Sequence, residues 1–100
     1  MNTIQFKSNV YTVSEHAIER IEYRFDGINI KDAFGRGKMI DRQNAFKFGK
    51  VIENKVNTMA EKYSSSARLI VNSFYNAVFA VDVNTKVVIT AMYLDGTWCE

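Results

Sequence analysis

After a short extended stretch at the start, the apolar positions follow helical spacing until about Tyr63 and then change to alternation. Ile4 to Val13 carry β-branched and aromatic side chains around a polar break at Lys7-Ser8-Asn9, which predicts a short strand or two extended pieces around a turn. Ser14 then stands at an N-cap position with Glu15 in the first turn, predicting a helix from Glu15 to about Phe25. At about 100° per residue, Ala17, Ile18, Ile21 and Phe25 fall in one sector and His16, Glu19, Arg20 and Tyr23 in the opposite one. Asp26-Gly27 ends this helix, and Asn29 is placed to cap a brief one over Ile30 to Phe34. Gly35-Arg36-Gly37-Lys38 reads as a flexible loop, lacking the glycine spacing and lysine-hydroxyl pair of a Walker-type phosphate loop.

From Asp41 to Tyr63 the apolar residues Phe48, Val51, Ile52, Val56, Met59, Ala60 and Tyr63 recur at helical spacing, with Asp41 as a cap. This predicts the longest helix, its apolar stripe facing a core and Lys47, Lys50, Lys55 and Lys62 facing solvent. Ser64-Ser65-Ser66 breaks it. Three runs rich in Val, Ile, Phe and Tyr follow, Ala67 to Phe74, Ala77 to Val83 and Lys86 to Leu94. Links this short require antiparallel neighbours, since a parallel return needs a long crossover. Asp95-Gly96 is a turn signal before the tail Thr97-Trp98-Cys99-Glu100. The expected fold is a single α+β domain over residues 1–100, with an N-terminal strand, two to three helices and a three-stranded antiparallel meander.

Composition supports one globular domain, with 47% hydrophobic and 24% charged residues in a chain of 100. A net charge of +2 imposes no global attraction to nucleic acid, so any such binding must come from a local patch. The single cysteine, Cys99, excludes an intrachain disulfide and a thiolate pair for zinc. It also argues against a cysteine hydrolase, which needs a histidine near the thiol. No apolar run approaches the roughly 18 residues of a membrane span, and the start lacks a signal-peptide pattern, so a cytoplasmic protein without metal or cofactor is expected.

One helix carries candidate chemistry. His16 and Arg20 are four apart and share a face, with Tyr23 and Arg24 one turn on. An imidazole titrating near neutrality can move a proton during phosphodiester cleavage while a guanidinium holds the phosphate in a bidentate fork. The same residues also fit a plain solvated helix face. Arg68 and Lys86, at the starts of two of the late strands, would add cations if both point outward. Phe74 and Tyr75 at the first hairpin would either fill the core edge or stack on a base, which is worth roughly 1–3 kcal/mol per base.

The string His16-Ala17-Ile18-Glu19-Arg20, followed by Gly27-Ile28, Ala33-Phe34 and the late Val87-Val88-Ile89-Thr90-Ala91-Met92-Tyr93, resembles small RelE-like and BrnT-like toxin domains. The resemblance covers about half the chain and implies a RelE-like fold with metal-independent RNA cleavage on a concave sheet face. It implies His16 as acid or base, Arg20 as phosphate or transition-state ligand, and Tyr93 and Thr90 as groups reaching the substrate from the last strand. Arg24, Arg68 and Lys86 would complete the RNA-binding set. A neutralising partner protein is implied as well, and Gln43 to Ser66, longer and more helical than the usual connection in such toxins, would be an inserted partner-binding element. The alternative is a non-catalytic interaction protein, such as a phage-encoded inhibitor of a host protein; simple RNA binding is a third reading. Exposed β-edges and Trp98 also allow a homodimer.

Overall fold

The computed structural model describes residues 3–25, 27–63 and 65–94. Alternating side chains form β1 (Thr3–Phe6) and β2 (Asn9–Val13), an antiparallel hairpin whose turn takes Lys7 to φ 53°. Ile4, Phe6, Tyr11 and Val13 turn into the core, while Thr3, Gln5, Val10 and Thr12 stay exposed on the other face. α1 (Glu15–Arg24) begins where its cap predicts, the Ser14 Oγ accepting from the Ala17 N–H at 3.1 Å. α2 (Ile30–Gly35) is capped by the Asn29 Oδ1, which accepts from the Asp32 N–H at 3.1 Å. Of the expected stop signal between these helices, Gly27 takes φ 89° and Asp26 lies outside the described residues.

Where a loop was expected, the chain enters a short edge strand, β3 (Lys38–Ile40). Gly37 serves packing there, because a Cβ on it would lie 2.4 Å from the Ile70 Cγ2 and 3.3 Å from the Ala33 and Phe34 carbonyl oxygens. The long helix expected from Asp41 is two pieces, a 3-10 turn (Ala45–Phe48) and α3 (Lys50–Lys62), separated by Gly49 at φ 99°. Asp41 does cap, but it caps a turn: its Oδ1 accepts from the Gln43 N–H at 2.9 Å and the Asn44 N–H at 3.0 Å.

The late runs form β4 (Ala67–Asn72), β5 (Ala77–Asp82) and β6 (Val87–Tyr93), each antiparallel to the next. They are only part of the sheet, which among the described residues has six strands in the order β1-β2-β6-β5-β4-β3, with β2 parallel to β6. Register separates the two faces. Ile70, Phe79 and Ala91 share the face covered by α1 and α2, whereas Leu69, Ala80 and Thr90 share the face covered by the 3-10 turn and α3. The molecule is thus a helix–sheet–helix sandwich of α+β type, with a core on each side of the sheet. Phe34 centres the first core, meeting Phe79, Tyr11 and Phe6 edge-on at 5.2, 5.6 and 6.0 Å between ring centroids.

β2 pairs with β6 only through Thr12–Val87 and Val13–Val88. Beyond them the register between Val81–Val88 and Ala80–Thr90 leaves Ile89 as an extra residue in β6, a bulge. At this bulge the chain turns from β2 into α1, with the Ser14 N–H donating to the Val88 carbonyl at 3.2 Å and the Ser14 Oγ donating to the Ile89 carbonyl at 3.1 Å. α1 therefore takes over the edge of β6 that β2 leaves uncovered.

Candidate functional site

That edge explains the residues of α1. The Arg24 Nη1 donates to the Ala91 carbonyl at 3.1 Å, giving a β6 edge acceptor a partner. The Tyr93 Oη donates in turn to the Arg24 carbonyl at 2.6 Å, near the end of α1, and its ring packs on Phe25 at 5.1 Å. Both side chains thus lock α1 onto β6. His16 is exposed near the start of α1 and Arg20 is half-buried. Arg24 lies eight positions after His16, about 12 Å along a helix axis, so His16 and the Tyr93 hydroxyl stand at opposite ends of α1.

The rest of the sequence-derived set is dispersed. Thr90 is 4% exposed and pairs with Ala80 on the α3 side of the sheet, away from α1. Alternation anticipates this, since residues three apart on a regular strand point to opposite faces, and Thr90 and Tyr93 are three apart. Lys86 closes the β5–β6 turn at φ 58°, its Nζ donating to the Val83 carbonyl at 2.9 Å and lying 5.7 Å from the Tyr11 ring centroid. Arg68 spends its Nη1 on the Ser65 and Ala67 carbonyls at 3.0 and 2.9 Å. It lines a pocket of about 220 Å³ with Asp41, Arg42, Gln43 and Ser65. The structure therefore brings His16 and Arg20 together on one helix, and sets Thr90, Lys86 and Arg68 elsewhere.

A different constellation forms where the β4–β5 turn meets α2. Asn72, nearly buried, donates through its Nδ2 to the Ala33 carbonyl at 3.0 Å. Its Oδ1 accepts from the N–H groups of Phe74 and Tyr75 at 3.0 and 3.4 Å. The turn is thereby tied to the helix. The Tyr75 Oη donates to the Asp32 Oδ2 at 2.7 Å, and the Arg36 Nε reaches the Asp32 Oδ1 at 2.8 Å. Donation to the Asp32 carboxylate raises the Tyr75 pKa, with desolvation and the Asp32 charge adding to it and the Arg36 charge opposing. Phe74 is 88% exposed, held edge-on to Tyr75 at 5.0 Å.

This turn borders an apolar pocket. Ile40, Phe48, Ile52, Val71 and Leu94 line a space of about 230 Å³, with Lys38 and Ser73 completing the lining. The Leu94 N–H donates to the Asn76 carbonyl at 3.1 Å, so pocket and turn belong to one end of the molecule. The Lys38 Nζ lies 5.2 Å from the Phe48 ring centroid. Beside the lining residues in the chain, Phe46 and Val51 are 63% and 53% exposed. The apolar spacing includes Val51 in the core stripe, but at about 100° per residue it stands roughly 120° from the centre of the buried Ile52, Val56, Met59 and Ala60, so the phase of α3 turns it outward. Arg42 carried no sequence signal beyond charge, since its partner Asn57 is fifteen positions on, whereas Asp32 and Arg36 stand four apart, the spacing by which their ion pair could have been found.

Among the described residues no group of three or more His, Cys, Asp or Glu could hold a metal ion, and no helix is long and apolar enough to cross a membrane. Cys99, Trp98 and the Asp95-Gly96 turn signal lie outside the described residues. Comparison of the chain with protein families, curated proteins and solved structures found no match.

Proposed function

We propose that this chain is a non-catalytic interaction domain that grips a partner protein with the end built from the β4–β5 turn, β3 and the start of α3. The observation that carries the reading is the fixed exposure of Phe74: the Asn72 side chain holds its backbone N–H, and its ring rests on Tyr75 rather than in a core. A large aromatic held in water at a braced turn is the form of an interface anchor, which gains affinity by entering a partner's pocket at little ordering cost. Phe46 and Val51 extend the apolar area. Lys38, exposed beside the pocket, and Lys47, exposed between Phe46 and Phe48 in the chain, fit a partner whose apolar patch is rimmed by carboxylates. Such a role agrees with an inhibitor of a host protein working in the cytoplasm.

The test is a partner-recovery experiment on the full chain with Phe74→Ser, a substitution at an exposed turn that should alter stability by no more than about 0.5 kcal/mol. One acidic partner should be recovered stoichiometrically by the natural chain and lost with the variant. Equal recovery by both, or a partner that persists after Phe74→Ser and Phe46→Ser together, refutes the assignment. Sedimentation of the purified chain separates a second copy of itself from a foreign partner.

A second reading rests on His16 and Arg20, one helical turn apart on the outward side of α1. It makes the chain a RelE-like domain that binds and cleaves RNA without metal, neutralised by a partner. Under that reading the chain degrades RNA in EDTA and His16→Ala abolishes the cleavage with the fold intact; an unchanged rate removes His16 from the chemistry.

A further inference from the structure

We propose that the pocket shared by Arg42 and Arg68 is a phosphate-binding site. Its walls come from two connections that sheet pairing draws together: Ile40 pairs with Leu69, so Asp41-Arg42-Gln43, just beyond β3, lies beside Ser65 and Arg68 at the start of β4. Together they enclose about 220 Å³. The site shares no lining residue with the apolar end and does not depend on the interaction reading.

Each guanidinium is positioned by a neutral acceptor. The Arg42 Nε donates to the Asn57 Oδ1 at 3.3 Å, and the Arg68 Nη1 donates to the Ser65 and Ala67 carbonyls. Among the described residues neither guanidinium has a carboxylate within ion-pairing distance; the pairs found are Arg36–Asp32 and Lys50–Glu53. Neither fork is therefore spent on an ion pair among the described residues, and N–H groups of each are left for a ligand. Asp41 lines the same pocket, yet its Oδ1 is engaged by the Gln43 and Asn44 N–H groups, so it braces the loop instead of neutralising an arginine.

Two arginines lining one pocket from separate segments suit a ligand with more than two oxygens. A carboxylate satisfies one fork; a tetrahedral phosphate presents oxygens to both at once. The Ser65 hydroxyl and Gln43 amide supply neutral donors to the remaining oxygens. Ser65, Gln43 and Arg42 are all exposed, so the rest of a phosphate ester can project into water.

The experiment is an NMR titration of the full chain with inorganic phosphate at constant ionic strength, chloride serving as the control. A second arm uses adenosine 5′-monophosphate. Saturable shifts are expected at the Arg42 and Arg68 Nε–H and at the Gln43 and Ser65 amides. Arg68→Gln should weaken binding by about tenfold or more, and so should Arg42→Gln, whose exposed side chain makes loss of folding an inadequate explanation. Asp41→Asn keeps the Oδ1 acceptor that holds the turn and removes its charge, so binding should tighten by about three- to tenfold. Equal affinity for both ligands identifies the phosphate group alone as the determinant, and tighter binding of the nucleotide identifies an ester. Shifts no different from chloride, unchanged affinity in both arginine variants, or weakening by Asp41→Asn would each overturn the assignment.

Discussion

Asn72→Ala tests how the exposed turn is tied to the body of the protein. The amide makes one bond to the Ala33 carbonyl of α2 at 3.0 Å and two to the turn N–H groups at 3.0 and 3.4 Å. A neutral bond contributes about 1 kcal/mol net, and a buried group left without its partner costs about 1–3 kcal/mol. The Tyr75 bond is long and adds little, so the expected loss is about 2–4 kcal/mol. In a domain of this size each kcal/mol corresponds to about 4–8 °C, so Tm should fall by at least about 8 °C. Urea unfolding followed by far-UV circular dichroism measures the loss, and an unchanged m value certifies that the unfolded reference is the same. Asn72→Asp sharpens the result: it retains acceptors for the turn but loses the donor to Ala33 and brings a carboxylate against that carbonyl, so it should cost at least as much as Asn72→Ala. A loss under about 0.5 kcal/mol for Asn72→Ala, or a harmless Asn72→Asp, would refute the claim that this side chain joins turn and helix.

Two further outcomes follow from the same bookkeeping of polar groups. Thr90 is buried, and among the described residues its hydroxyl has no hydrogen-bond partner, so Thr90→Val should be neutral or stabilising by about 1 kcal/mol in thermal unfolding; a loss above about 1 kcal/mol would place an essential bond there. Tyr75 has its pKa raised above the ordinary 10.0, so the stability that its bond to Asp32 contributes is present in full below pH 10.0 and lost as pH rises through the folded-state value. The stability gap between the natural chain and Tyr75→Phe, measured by denaturant unfolding, should hold constant across neutral pH and close in strong alkali; a gap that widens there contradicts the assigned direction.

Local chemistry was legible wherever the deciding groups were neighbours in sequence. Ser14 and Asn29 cap their helices through side chains that reach three residues ahead, and the apolar sector of α1 is buried as its period requires. The three late strands were readable from alternation and short turns. Gly49 was the missed local signal: Phe48, Val51 and Ile52 keep helical spacing across it, and the period alone hid a break at a positive φ.

The starts of α1 and α2, the hairpins and the order of the late strands were thus readable along the chain, because caps and tight turns are interactions within a few residues. Long-range pairing was needed to join β2 to β6 in parallel, to begin a strand at Lys38, and to bring α1 onto the edge of β6 beyond the bulge at Ile89. Those outcomes rest on hydrogen bonds between residues far apart in the chain, which no local period encodes. The same holds for the candidate chemistry. Spacing could put His16 and Arg20 on one helix face, but the partners of Arg24, Tyr93, Arg42 and Arg68 were settled by which backbone carbonyls and side chains folding carried to them.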